Sequence, residues 1–475
     1  LSRVELNLAP EQAGRLFRHR AVSARRMGRG SVKPVSVVWH RGTAEGTVLA
    51  AEGGRWRLER TVRLHGLPAG CAVAAEGDQA AVIGETAPVP LVSFSGRRRV
   101  VGLRADPEAG LGAVQVTLLD GMLRDVSREW PCCRVTLEGD GAVALASVLG
   151  ETLGLSMPVG SLAEEALSAS RGDACEAPEA AVVEPDASVD AAIRTVVGHL
   201  AVAMAYWAPL AARGGLPVAV HQMRVAIRRL RSAMVVFKAP LDGSLDGMRA
   251  PLLTLAARLG AARDWDVFLA GTGAELGRAM AGDKRIFALL EDATRSRDAA
   301  YAELRRHLAS AGTRRLLLDL ALLPSLAPWV VEGDEARAGM LAAPVREFAP
   351  RILDRRFKRL VGAADELSTL PADALHDTRK SGKKLRYALE FFSPVLPRRA
   401  VRKFARRLSR AQDELGAIND TETGAALLQR LTHGGRHEFA SGAVLGWLSA
   451  KAEAARAPLA ETWDGLRRQE RFWRA

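Results

Sequence analysis

The 475-residue chain predicts an antiparallel, β-rich α+β domain followed by an all-α domain built from two related halves. Three observations carry this expectation. The first part alternates polar and apolar residues between Gly-rich turns, as half-buried strands do. Beyond residue 189 the apolar spacing becomes helical, with Leu and Ala prominent. Within that second part a polar motif occurs twice at a nearly constant offset.

The strands are read from Val4–Leu8, Trp56–Leu64, Leu91–Phe94, Val114–Leu119 and Cys133–Leu137, and one helix from Val143 to Leu153. Together they describe an antiparallel sheet or barrel over residues 1–160. The acidic, Pro-containing stretch Ala163–Asp190 reads as a mobile linker, placed at 161–188. The helical domain then covers 189–475, with halves at 189–330 and 340–475. Its helices are expected at Ala191–Ala208, Val218–Phe237, Met248–Leu259, Ala274–Leu290, Glu291–Leu308, Arg351–Leu360, Ala374–Phe392, Arg399–Leu415, Thr423–Leu431 and Gly442–Ala457.

Hydrophobic residues make up 48% of the chain and charged ones 25%, the balance of an ordinary globular protein. No run approaches the apolar length that crosses a bilayer, and Leu1–Arg20 lacks the apolar core of a secretory signal, so a cytoplasmic location is expected. Cys71, Cys132, Cys133 and Cys175 have neither disulfide-framework nor metal-knuckle spacing. His433 and His437 are four apart, but Gly434, Gly435 and Arg436 fill the gap without the acidic base of a zinc hydrolase. No metal or catalytic constellation is expected.

The net charge of +13 is uneven. Residues 1–185 hold 21 Lys and Arg against 22 Asp and Glu, leaving 46 against 32 for the remainder. A concentrated positive field captures polyanions; it also serves solubility.

The repeat is specific. His221, Arg224, Arg228, Arg229 and Arg231 match His376, Arg379, Lys383, Lys384 and Arg386 at an offset of 155, and Leu259–Asp264 matches Leu415–Asp420 at an offset of 156. Spacings of three, four and three place His221, Arg224, Arg228 and Arg231, and likewise His376, Arg379, Lys383 and Arg386, on one helix face, with apolar residues on another. Like charges one turn apart weaken a helix, a cost that a bound anion offsets. Arginine matches two phosphate oxygens at once, and lysine acts as a mobile point charge. The bland alternative is that these cations pair with acids on neighbouring helices. Arg351, Arg355 and Lys358, then Arg402 and Arg406, add basic residues at helical spacing. In the Leu-Gly-Ala segments small residues would let helices approach, while Asp264, Asp266 or Asp420 would cap a helix or hold a cluster arginine.

These motifs, with Gln412–Asp420, resemble the CHAD family across roughly residues 188–470. The resemblance implies two pseudo-symmetric four-helix bundles with a basic groove that binds inorganic polyphosphate. It also implies association with polyphosphate granules in bacteria. The implied contacts are the two basic helices named above together with Arg355, Lys358, Arg402 and Arg406.

Residues 1–160 resemble a degenerate CYTH, or triphosphate-tunnel, domain. The early Glu-x-Glu-x-Lys strand of that family has become Arg3-Val-Glu5-Leu-Asn7, the basic strand Trp56–Arg60, and the final acidic strand Cys132–Glu138. With one carboxylate left, the cation that phosphoryl transfer needs would be poorly held. The reading is therefore non-catalytic polyphosphate binding with no cofactor, no specific nucleic acid and no membrane partner, a homodimer being compatible. The alternatives are a metal-dependent tripolyphosphatase acting through the N-terminal domain and a nucleic-acid backbone binder. The latter would want aromatics among its basic helices, and the chain has only 3 Tyr and 12 Phe.

Overall fold

The computed structural model describes residues 3–41, 47–64, 67–78, 82, 90–171, 177, 182–214, 216–362, 367, 370–432 and 436–474. Cys175, His65 and His433 lie outside them, as do the side chains of Cys71, Asn419 and Asp420. The chain divides into two compact units, Leu1–Ala180 with Val197–Leu210 and Leu308–Ala327, and the remainder.

The first unit holds one antiparallel sheet of nine strands: β1 Arg3–Leu8, β2 Arg26–Arg41, β3 Thr47–Glu52, β4 Arg55–Leu64, β5 Leu67–Gly77, β6 Pro90–Leu103, β7 Val114–Arg124, β8 Glu129–Glu138 and β9 Leu155–Ser156. Their order is β5-β4-β3-β2-β6-β7-β8-β1-β9. β5 also approaches β1, so the sheet curls toward closure. Every strand read from the sequence is present. β2, β3, β5 and the two-residue β9 are additional; β2 escaped because its first half, Arg26–Lys33, is exposed and charged, with no apolar alternation to read.

Numbering helices of eight or more residues, α1 is Ala142–Gly150 and α2 is Leu162–Arg171. Val4, Leu6 and Leu8 alternate onto one face of β1 and bury with Val116, Val135 and Leu137 against Leu145 and Leu149 of α1. On the other face Val35, Val37, Trp39 and Phe94 pack against Ala163, Ala166 and Leu167 of α2. The first ten residues expected as linker therefore form a helix. Its small and apolar residues cover the sheet, which outweighs the acidic composition that suggested mobility.

The helices that follow are α3 Val189–Arg213, α4 Pro217–Val236, α5 Arg249–Phe268, α6 Lys284–Leu308, α7 Ala311–Leu326, α8 Glu335–Ala342, α9 Val345–Val361, α10 Ala372–Phe392, α11 Arg398–Leu431 and α12 Glu438–Arg467. Ser188 and Ser310 cap α3 and α7 through their hydroxyls, and Pro217 opens α4 at its first turn. α7 and the middle of α3 group with the sheet: Leu318, Ala321, Leu322 and Ala205 belong to its core. By length and composition α3 could cross a membrane, contrary to the sequence expectation, but 72% of its most apolar window is buried in the protein. Its apolarity is that of a core helix.

In the second unit Trp265 and Phe268 of α5 and Ile286 and Leu289 of α6 bury with Leu427 and Leu428 of α11 and Val444 and Leu448 of α12. The two halves of the repeat thus share a core. Phe237 stacks on Phe348 at 5.7 Å and meets Phe392 edge-on at 5.9 Å, which joins the end of α4 to α9 and α10. α11 is one helix of 34 residues where the sequence suggested two. Gly416, which suggested a break, sits in mid-helix with open space around it.

Candidate functional site

The basic faces of α4 and α10 meet. Arg228 Nε donates to the Tyr387 hydroxyl at 3.1 Å, and Arg229 pairs with Glu390. These are contacts from one half of the repeat to the other. Met223, Ile227 and Leu230 of α4 and Leu385, Ala388 and Leu389 of α10 are buried, which fixes the faces their cations occupy.

Around this seam the cations crowd one another. The Lys383 ammonium is brought down to about 8, first by burial and then by Arg379, Arg228, Arg386 and Arg224. Two of those guanidiniums belong to the first half and two to its own helix. Burial, followed by Arg263, Arg228 and Arg224, lowers His221, which favours the neutral imidazole. Arg224 is lowered as well, mainly by burial, while Asp264 opposes the shift. His221, Arg224, Arg228, Arg379, Lys383 and Arg386 therefore share one positive field.

Of the remaining expected residues, some pair with acids and others are exposed. Arg229 is committed to Glu390, and Arg231 is exposed. His376 is half-buried with Nδ1 4.0 Å from Glu422. Lys384 belongs to a second basic patch with Arg359, Arg356 and Lys380, and burial lowers both it and Arg356, the latter to about 10. Arg355 and Lys358 of α9 and Arg402 and Arg406 of α11 are exposed.

The expected pairing with acids holds in part. Asp264 takes Arg224 at 3.2 Å, and Gly260 makes this possible, since a Cβ there would stand 2.8 Å from Arg224 Nη1. Asp266 accepts from Arg297 and from the Tyr301 hydroxyl, both at 2.7 Å. Neither aspartate caps a helix; both lie inside α5.

Beside the seam lies a cavity of about 380 Å³, lined by Arg379, Lys383 and Arg386 of α10, Gln412 and Asp413 of α11, and Lys451 of α12, among others. Sequence reasoning missed Gln412, Lys451 and the role of Arg263. Arg263 stands inside the repeated Leu-Gly-Ala segment, which was the available signal. Lys451 carries no motif at all.

In the first unit the carboxylate of the first strand is engaged. Glu5 is buried and accepts from Arg3 at 3.0 Å and from Arg134 at 3.3 Å. Arg134, itself only 2% exposed, pairs with Glu165 of α2 at 2.6 Å. Arg57 of the expected basic strand pairs with Glu52 at 2.8 Å and Glu59 at 3.1 Å. Burial raises Cys132 to about 11 and Cys133 to about 12, so both remain thiols. Among the described residues no group of three or more His, Cys, Asp and Glu is placed to hold a metal ion.

Residues 195–429 match the model of the CHAD domain. Among solved structures the chain is similar to the CHAD domain from the plant Ricinus communis, at 28% identity and a TM-score of 0.54 over 62% of this chain and 96% of that one. It is also similar to PptA from Streptomyces chartreusis, at 18% identity and a TM-score of 0.45 over 58% and 100% of the respective chains. No curated protein matches the chain. The duplicated basic helices thus belong to a CHAD domain, which this chain carries over residues 195–429.

Proposed function

We propose that the protein binds inorganic polyphosphate along the seam of α4 and α10, without chemistry on it. The observation that carries this reading is the shared field at Lys383, where cations from both halves of the repeat are held together against their mutual repulsion. Such an arrangement is stabilised by a flexible polyanion that neutralises several charges at once. A chain of phosphates supplies this without needing the stacking surfaces that bases would require. Each contact releases a counterion, so affinity falls steeply with salt.

The non-catalytic part of the proposal rests on the first unit. Its curled sheet fits a degenerate CYTH domain, and Glu5 is committed to two guanidiniums rather than to a cation. A cytoplasmic protein that associates with polyphosphate granules follows from the same reading.

The test compares long-chain polyphosphate binding by the intact protein with that of a variant carrying Arg224→Ala, Arg228→Ala, Arg379→Ala and Lys383→Ala. Double-stranded DNA of equal charge competes, and phosphate release is followed with Mg²⁺ or Mn²⁺. The variant is expected to lose about 100-fold or more, with the salt slope reduced by about 3. Unchanged binding by the variant returns these residues to ordinary helix packing, and metal-dependent release reinstates the phosphohydrolase reading.

A further inference from the structure

Among the positions where the two halves of the repeat differ, two come together in the second half. Ile227 of α4 corresponds to Gly382 of α10 at the offset of 155, and Ala256 of α5 corresponds to Gln412 of α11 at the offset of 156. In the first half Ile227 is fully buried. In the second half the glycine leaves space, and a Cβ at 382 would already stand 3.3 Å from Gln412 Nε2. Gln412 is 6% exposed, and neither its Nε2 nor its Oε1 has a hydrogen-bond partner among the described residues. It lines the cavity of about 380 Å³ together with Lys383, Arg386 and Lys451.

A buried amide with both donor and acceptor unsatisfied is expensive, and so is a glycine in the middle of a helix. Together they mark a site whose occupant offers an acceptor and a donor and carries negative charge. Within a phosphate chain the internal and terminal groups differ in this respect. An internal phosphoryl has two free oxygens and no proton near neutral pH. A terminal one has three free oxygens and a second ionisation near neutrality, as phosphomonoesters do at about 6. Its monoprotonated form donates through P–OH and accepts through the remaining oxygens.

We propose that the Gln412 cavity is an end pocket, which seats the terminal phosphoryl group of a linear polyphosphate while the rest of the chain lies on the seam. Gln412 is then the specificity-determining residue: Nε2 donates to a phosphoryl oxygen, and Oε1 accepts a hydrogen bond from the P–OH of the monoprotonated end group. Lys383 supplies charge, together with Arg386 and Lys451, which also pair with Glu390 and Glu275. Asp413 also lines the cavity, but it is exposed and its repulsion is screened by solvent. The pocket rests on the polyphosphate reading above and sharpens it from a groove that holds phosphate chains to one that holds them by an end.

The experiment uses the intact protein with linear tripolyphosphate, longer linear polyphosphate and cyclic trimetaphosphate, which has no end groups. In ³¹P spectra of a long linear chain with substoichiometric protein, the end-group signals are expected to broaden before the mid-chain signals. Linear tripolyphosphate should bind at least about tenfold more tightly than the ring, and Gln412→Leu should remove about tenfold from the linear ligand, one hydrogen bond to a charged group, while leaving the ring unaffected. Equal broadening of end and mid-chain signals, or equal affinity for ring and line, overturns the end pocket while leaving polyphosphate binding in place. Absence of binding by every one of these ligands overturns polyphosphate binding itself. The spectra of the unaltered protein decide the matter without depending on how the variant folds.

Discussion

The two basic helices are copies in sequence and different in what surrounds them. On α4, Arg224 leans on Gly260 and is held by Asp264, and Ile227 seals the core behind it. On α10 the counterpart Arg379 lines, with Lys383, an open cavity beside an amide unsatisfied among the described residues. The first half is a braced surface; the second is a surface with a hole in it. Duplication supplied the charge, and divergence at Ile227/Gly382 and Ala256/Gln412 supplied the asymmetry.

Removing cations one half at a time probes this difference most strongly. Arg224→Ala with Arg228→Ala, and separately Arg379→Ala with Lys383→Ala, should each weaken long-chain polyphosphate binding by about 30-fold, from roughly 1 kcal/mol per lost contact. Titration at fixed salt reads this. Loss in only one pair would mean that the halves act separately and share no field.

A pH titration comes next. Lys383 titrates at about 8 in the folded protein against 10.5 ordinarily. Between those values the unfolded chain binds more protons, so the stability of the free protein rises with pH through that window. Affinity for a polyanion moves the other way, falling several-fold from pH 7 to 9 as the ammonium deprotonates. Lys383→Arg should flatten the profile, because a guanidinium stays charged throughout.

How much of this was legible in the sequence depends on the range of the interaction. The repeat, the strand alternation of β1 and β4 and the amphipathic faces of α4 and α10 are local patterns, and they placed both basic helices. Arg229 and Glu390 pair across 161 positions, Arg134 and Glu5 across 129, and nothing near either residue announces its partner. The cavity is less legible still, since Lys451 reaches it from a helix without a motif. α2 misled because acidic composition was weighed above the small apolar stripe of Ala163, Ala166 and Leu167.

Smaller changes sharpen the contrast further. Tyr387→Phe removes the acceptor of Arg228 and should cost about 1 kcal/mol of stability in urea unfolding, with a few-fold loss of affinity. The matched glycines should respond in opposite directions. Gly416→Ala meets open space and should stabilise the helix by up to about 1 kcal/mol, whereas Gly260→Ala pushes Arg224 off Asp264 and should gain nothing. Equal responses would mean that the two halves are braced alike.

Because α11 runs unbroken for 34 residues, it acts as a caliper. Arg402, Arg406 and Asp413 fall on one stripe of it, and the eleven residues from Arg402 and seven from Arg406 to Asp413 fix about 16 Å and about 10 Å between these arginines and the cavity. A phosphate chain anchored in the cavity must reach that far before the outer arginines contribute. Chain length then enters the affinity as a threshold rather than a slope, and the helix, not the ligand, sets where the threshold lies.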